Sequence, residues 1–224
     1  MTAPYYEDEL ITLYKGNCLD LAHLWVVADV LITDPPYGMA FNSGQKWQSR
    51  DEFRERAIAG DNTTDARDDV LAAWGTKPAA MFGTWRVQRP AAVAQILIWN
   101  KAGAGPGMGD VRSAFGTSHE EIYLFGTWLR GENKRMGSVI TTTVSPSAMT
   151  SAVGHPTPKP VSLMETLVSR APAGVIAEPF AGSGSTLLAA RNLGRRAIGV
   201  EIEEKYCEII ANRLSQNAFA LEEL

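Results

Sequence analysis

Cysteine is nearly absent from this chain, with 2 in 224 residues, Cys18 and Cys207. So sparse a set makes no disulfide framework, and neither residue stands at a metal-ligand spacing. Both read as small buried hydrophobes, which fits a cytoplasmic setting and predicts no metal site. Histidine is scarce too, at 3. His119 beside Glu120 and Glu121 invites a metal or acid–base reading, but a surface or strand-start histidine is the plainer one. No apolar run approaches about 20 residues, so no membrane-spanning helix and no membrane partner are expected. The stretch Met1-Thr2-Ala3-Pro4-Tyr5-Tyr6-Glu7-Asp8 lacks the basic-then-apolar order of a signal peptide. Internal repeats and long low-complexity tracts are missing as well.

An excess of positive charge is also lacking, since the formal net charge is −4. The distribution is more informative than the sum. Residues 1–75 carry 6 basic and 13 acidic side chains, whereas residues 86–160 carry 8 basic against 4 acidic. The basic set is Arg86, Arg89, Lys101, Arg112, Arg130, Lys134, Arg135 and Lys159. A handful of phosphate contacts from such a stretch could supply most of a salt-dependent affinity for nucleic acid. The bland alternative is that these side chains merely solvate loops.

The length suits one α/β domain that buries a full sheet with helices on both faces. Ile11-Thr12-Leu13-Tyr14 and Val30-Leu31-Ile32-Thr33 read as strands, with a crossover helix at about residues 18–24 between them. A short helix is expected at 70–74, and strands at 79–82, 95–99 and 121–125. Residues 38–62 are polar and charged and follow directly on the strand at 30–33 and the Asp34-Pro35-Pro36-Tyr37 stretch that ends it, so they read as a mobile loop. Residues 102–109 hold four glycines and one proline and read as a flexible loop.

Asp34-Pro35-Pro36-Tyr37 ends the second of these strands. Two prolines cannot donate to a sheet, so the strand has to stop there. The turn presents a carboxylate, two carbonyls and a planar phenol, an acceptor-rich edge beside a stacking surface. That suits a flat heteroaromatic ring carrying an amino group, although Asp-Pro-Pro is also an ordinary way to leave a strand.

Ala177-Glu178-Pro179-Phe180-Ala181-Gly182-Ser183-Gly184-Ser185-Thr186 is the second informative stretch. Val175-Ile176-Ala177 reads as a buried strand, Ser185 or Thr186 opens a helix, and Gly194 closes it. Ile198-Gly199-Val200-Glu201 is the next strand, and its terminal acid falls 19 positions after Gly182. Strand, glycine turn, helix, strand and carboxylate make a nucleoside-binding unit in which Glu201 can grip a ribose. The turn lacks the third glycine of the dinucleotide fingerprint. A ligand with ribose but no pyrophosphate is favoured over a nicotinamide or flavin.

Together these two stretches resemble the β group of DNA amino-methyltransferases, the adenine-N6 and cytosine-N4 enzymes, in which the Asp-Pro-Pro-Tyr element comes first and the cofactor turn last. His155-Pro156-Thr157-Pro158-Lys159-Pro160, followed by an amphipathic helix from Val161, is similar to that family's His-Pro-Thr-Gln-Lys-Pro element. Leu13-Tyr14-Lys15-Gly16-Asn17-Cys18-Leu19-Asp20 is similar to its strand end facing the cofactor adenine. Three positions depart from the pattern: Glu178 stands for Asp, Pro158 for Gln or Glu, and Asn17 for Asp. Each touches the cofactor side rather than the methyl-transfer turn.

The resemblance implies a Rossmann-like methyltransferase fold with a central, mostly parallel sheet, helices on both faces and circularly permuted motif order. It implies methylation of double-stranded DNA, of the restriction-modification kind, with S-adenosylmethionine as cofactor and no metal. Asp34, Pro35, Pro36 and Tyr37 would be catalytic. Asn17, Cys18, Asp34, Thr157, Lys159, Glu178, Phe180, Gly182, Ser183, Gly184 and Glu201 would line the cofactor, with Thr157 and Lys159 toward its methionine carboxylate. Residues 1–224 form a single domain on this reading, with 100–118 and 129–154 as DNA-contacting loops. No separate target-recognition domain fits into 129–154. A short or relaxed recognition sequence is expected, with a homodimer spanning the duplex as one way to read it. Asp34 favours adenine over cytosine, whose enzymes often carry Ser there. A non-catalytic relative that binds DNA or cofactor, and methylation of RNA or a protein amide, are the other readings.

Overall fold

The computed structural model describes residues 2–39, 62–102, 112–128, 134–143, 150 and 153–222. Its frame is a sheet of nine strands among those residues. The middle is a parallel block. β2 (Ile11–Lys15), β3 (Val30–Thr33) and β4 (Ala79–Gly83) come from early in the chain, β8 (Ile176–Glu178) and β9 (Ala197–Glu201) from late in it. They stand in the order β2-β9-β8-β3-β4, so the late pair is inserted between β2 and β3. β1 (Tyr6–Glu7) lies antiparallel on the β2 edge. Beyond β4, β6 (His119–Phe125) runs antiparallel between β4 and β5 (Gln95–Lys101), and β7 (Val139–Thr142) pairs parallel to β5.

The parallel strands are buried on both sides, which explains their unbroken apolar runs. Val30, Leu31, Ile32 and Thr33 are fully buried, as are Ala79 to Phe82. Alternate residues then meet different layers. Val30, Ile32 and Phe82 pack with α3 (Val161–Arg170), α4 (Ser185–Asn192) and Ile210 and Leu214 of α5 (Glu204–Glu222). Leu31 and Met81 face Trp25 of α1 (Ala22–Trp25) and Val70 and Trp74 of α2 (Asp65–Trp74). The expected Rossmann-like sheet with helices on both faces is therefore the fold.

Some local expectations change. The crossover helix shrinks to the single turn α1, because the preceding residues close a turn in which Asn17 Oδ1 accepts the Leu19 N–H at 2.9 Å. Trp25 Nε1 donates to the Cys18 carbonyl at 2.7 Å and fastens that turn. The second helix starts earlier than expected, at Asp65, and Asp65 and Asp68 complement the positive end of its dipole. Within 129–154, read as loop, Val139–Thr142 is strand β7, and Trp99 Nε1 donates to Thr142 Oγ1 across the join. Most of the expected loop at 38–62, and most of the glycine loop at 102–109, lies outside the described residues.

Candidate active site

Parallel strands deliver their C-terminal ends to one edge of a sheet, and ligands bind there. Lys15, Thr33, Gly83, Glu178 and Glu201 are those ends here. β6 is antiparallel, so its first residues arrive at the same edge, where Glu121 pairs with Gly83 and His119 with Asn100. β5 runs against β6 and brings Lys101 there with its last residue.

A cavity of about 640 Å³ opens along this edge, within the usual size of small-ligand sites. Thirteen of the fourteen site residues expected from sequence line it: Asp34 to Tyr37, Asn17, Cys18, Thr157, Lys159, Glu178, Phe180, Gly182, Ser183 and Glu201. Gly184 does not. It caps α4 with φ +77, and a Cβ there would stand 2.8 Å from Ile210 Cγ1. That glycine serves close approach of α5 rather than approach of a ligand. Gly182 does face the cavity; its φ is +51 and a Cβ would meet His155 Nε2 at 3.1 Å.

At one end, Glu201 Oε2 accepts the Gly182 N–H at 2.7 Å and Oε1 the Glu203 N–H at 2.8 Å. A carboxylate offers about four acceptor positions, so it can still receive ribose hydroxyls. Burial holds its carboxyl above the usual range, with the two backbone N–H groups opposing. Tyr206 and His155 line the same part of the cavity, their rings 4.6 Å apart. Cys18 is buried, and burial pushes its thiol up to about 11, which makes it wall and not nucleophile.

Beneath the turn, Glu178 is enclosed by donors. Thr33 Oγ1 reaches its Oε1 at 2.6 Å, Phe180 N the same oxygen at 3.1 Å, and Thr186 Oγ1 its Oε2 at 2.7 Å. Burial nevertheless pushes this carboxyl up to about 8. The Glu178 carboxyl group ties β3, the glycine turn and α4 together.

At the other end lies a chain of alternating charges. Lys159 Nζ stands 2.5 Å from Asp34 Oδ2 and 3.3 Å from Glu120 Oε2, and Lys101 Nζ closes on Glu120 Oε1. The Tyr37 hydroxyl donates to Asp34 Oδ1 at 2.8 Å and to Glu120 Oε2 at 3.1 Å. The Lys159 ammonium also lies over the rings of Phe82 at 4.9 Å and Tyr37 at 5.7 Å. Ser185 Oγ fixes the Lys159 carbonyl at 2.7 Å, which sets where its side chain starts. Lys159, expected toward the cofactor carboxylate, is thus engaged by Asp34 and Glu120. Burial raises the Asp34 carboxyl, Glu120 adds to the rise, and Lys159 opposes it. For Glu120 burial is outweighed by Lys159 and Lys101, and the carboxyl falls below its usual range. Burial and the two carboxylates keep the Tyr37 hydroxyl protonated.

Sequence alone singles out neither Glu120 nor Lys101 as a site residue, although the run His119-Glu120-Glu121 invites a metal or acid–base reading. His119 does start a strand, and it lines the cavity. Glu121 turns the other way and is gripped by Arg89 Nε at 3.0 Å and Nη2 at 2.6 Å. Arg86 and Thr117 lie at the cavity mouth, bonded at 3.1 Å, with Trp85 beside them and 56% exposed. Among the described residues no group of three or more His, Cys, Asp or Glu side chains is placed to hold a metal ion. No helix there is long and apolar enough to cross a membrane.

Comparison with known proteins narrows the chemistry. A family described as DNA methylase, the N6/N4 methyltransferases, matches residues 127–212. YubD of Escherichia coli (strain K12), described as a methylase, is 30% identical over 222 residues, which covers 90% of this chain and 88% of that protein. The chain belongs to the N6/N4 DNA methylase family. Another relative is the type II methyltransferase M2.LlaDCHI of Lactococcus lactis subsp. cremoris, 25% identical over 258 residues, with 97% of this chain and 94% of the relative covered. The fold matches the crystal structure of the M1.HpyAVI–SAM complex with a TM-score of 0.63, at 22% identity, over 91% of this chain and all of that one. The chain is an S-adenosylmethionine-dependent DNA methyltransferase. The residues present fit that cofactor: a strand-end carboxylate for the ribose, a glycine at Gly182 where a Cβ would crowd His155, and a cavity continuous with Asp34.

Proposed function

We propose that this N6/N4 methylase transfers the methyl group to the exocyclic amino group of an adenine flipped out of double-stranded DNA. The observation that carries the reading is the shared cavity, with Glu201 at one end and Asp34 and Tyr37 at the other. S-adenosylmethionine supplies an electrophilic methyl group on its sulfonium. An adenine amino nitrogen is a weak nucleophile, because its lone pair is delocalised into the ring. Asp34 and the Pro35 carbonyl accept its hydrogens, draw it toward tetrahedral geometry and free the lone pair. Removing such an aimed group typically costs about 100- to 1000-fold in rate. The base has to leave the duplex to reach the turn, at roughly a few kcal/mol. Tyr37 offers a ring on which it can stack, offsetting about 1–3 kcal/mol.

Asn17, Cys18, Phe180, Gly182, Ser183 and Glu201 form the cofactor end in this reading, with Thr157 beside them. Asp34 in place of Ser favours adenine over cytosine-N4. Residues 1–224 act as a single methyltransferase domain, and a homodimer would let two copies read one duplex. The similarity to type II methyltransferases supports a role in restriction-modification. Nucleoside mass spectrometry on unmethylated duplex DNA incubated with protein and S-adenosylmethionine tests this, with Asp34→Ala alongside. Methyladenine that vanishes with the substitution supports the reading. Methylcytosine replaces the base, and cofactor binding without either product removes the activity on DNA.

A further inference from the structure

The cavity contains a second carboxylate, Glu120, whose position bears on what Asp34 can do. Lys159 is 8% exposed, so its ammonium requires a counterion at all times. At rest Asp34 provides one at 2.5 Å. In the reaction Asp34 has to give up that service. The amino nitrogen attacks, an N–C bond forms as the C–S bond breaks, and the bonding pair leaves with sulfur as a neutral thioether. The nitrogen is then cationic and has to lose one proton. If Asp34 accepts it, Lys159 loses the partner it had.

Glu120 meets that need. Its Oε2 is already 3.3 Å from Lys159 Nζ and 3.1 Å from the Tyr37 hydroxyl, the same two donors that hold Asp34. Lys101 holds its other oxygen and keeps it from turning away. We propose that Glu120 is a positioning residue for methyl transfer: it serves as the standing counterion of Lys159, so that Asp34 can turn to the target amino group and take its proton without stranding a buried ammonium. The inference rests on the role given to Asp34 above. The Tyr37 hydroxyl transfers with Lys159, changing its main acceptor from Asp34 to Glu120.

The groups facing Asp34 are Tyr37 in its own turn, Lys159 ahead of α3, Glu120 on β6 and Glu178 on β8, with Lys101 of β5 behind Glu120 and His119 in the same cavity. Without Glu120, Lys159 belongs wholly to Asp34 and makes it a weaker base. The experiment is the pH profile of kcat/KM, whose acid limb reports the free enzyme's base. Glu120→Gln is expected to slow methylation by roughly 100-fold and to move the acid limb about one unit lower. Lys101→Met leaves Glu120 freer to draw Lys159 and is expected to move the limb upward, so an unfolded Glu120→Gln protein would still leave a test of opposite sign. Glu120→Asp, keeping the charge, should recover part of the rate.

A purely structural role would lower the rate in both variants and leave the limb in place, which overturns the inference. So does a Glu120→Gln enzyme with wild-type rate. Asp34→Ala separates the two levels. Residual methylation in it removes the reading of Asp34 itself, whereas an inactive Asp34→Ala with unmoved limbs elsewhere removes only the role of Glu120.

Discussion

Glu201 Oε2 accepts the Gly182 N–H at 2.7 Å, so the last residue of β9 holds the glycine turn that follows β8 in shape. One carboxylate therefore organises the loop and remains available to a ribose. Glu201→Ala should raise the Kd for S-adenosylmethionine about 10- to 100-fold, the weight of one charge-assisted hydrogen bond at roughly 1.5–3 kcal/mol. Isothermal titration would read this. An unchanged Kd would show that the hydroxyls are bound elsewhere.

Gly184→Ala tests packing without touching the cavity. The substitution forces a Cβ to within 2.8 Å of Ile210 Cγ1 at a backbone φ of +77. Overpacking and a left-handed non-glycine residue together should cost about 2–4 kcal/mol, seen as a lower urea midpoint. Replacing Ile210 by Ala in the same chain should relieve the clash but leave the backbone strain.

Glu178 makes stability depend on pH. Its carboxyl is raised in the fold from an ordinary value near 4.5 to about 8. Across that interval the folded protein holds a proton that the unfolded chain has released, so stability falls as pH rises. Glu178→Gln keeps an acceptor for Thr33 and Phe180 and removes the titration. Melting curves should show wild type and variant alike near pH 5, with the variant more stable by pH 8. Parallel curves over the whole range would refute it.

Lys159→Met removes the ammonium between two carboxylates. With Asp34 and Glu120 left facing each other, breaking this buried network should destabilise the protein by about 3–5 kcal/mol and raise the pH at which methylation sets in. Denaturant titration at pH 6 and pH 8 distinguishes this from loss of packing alone, because only charge repulsion grows with pH.

Arg86 lines the cavity, its guanidinium stands 5.5 Å from the exposed Trp85 ring, and we propose that the pair meets the DNA. Arg86→Ala should weaken DNA binding and reduce its salt slope by about 1. Trp85→Ala should weaken it with the slope unchanged. Fluorescence anisotropy at several salt concentrations would tell the two apart.

The glycine turn and the Asp34 turn could be read from the chain because proline and glycine act locally: they stop a strand or permit a turn whatever lies around them. β7 could not. Val139-Ile140-Thr141-Thr142 sits in a Ser- and Thr-rich stretch and becomes a strand through its neighbour, with Trp99 and Thr142 bonded across the pair. Glu120 was hidden for a different reason. Consecutive strand residues point to opposite faces, and Glu120 and Glu121 lie at a sheet edge where each face supplies a partner, Lys159 and Lys101 for one and Arg89 for the other. Two acids in succession at a strand start gave a sign that both required cations, but which cations depends on strand order. Arg89 and Lys101 belong to the basic stretch whose sequence allows either phosphate contacts or solvated loops, because charge alone does not reveal an internal partner.

β2 and β3 follow one another in sequence yet do not touch in the sheet, since β9 and β8 stand between them. During synthesis both strands leave the ribosome long before Ile176, and each then presents an unpaired edge to a gap that later residues have to fill. Open edges of this kind are templates for other strands. The growing chain has every reason to hold that gap for its own later crossover unit of β8, α4 and β9, and a ribosome that stalls before Ile176 leaves a product without its central strands. Glu201 arrives with the last of them, so the nascent protein completes its sheet and its cofactor end in the same event.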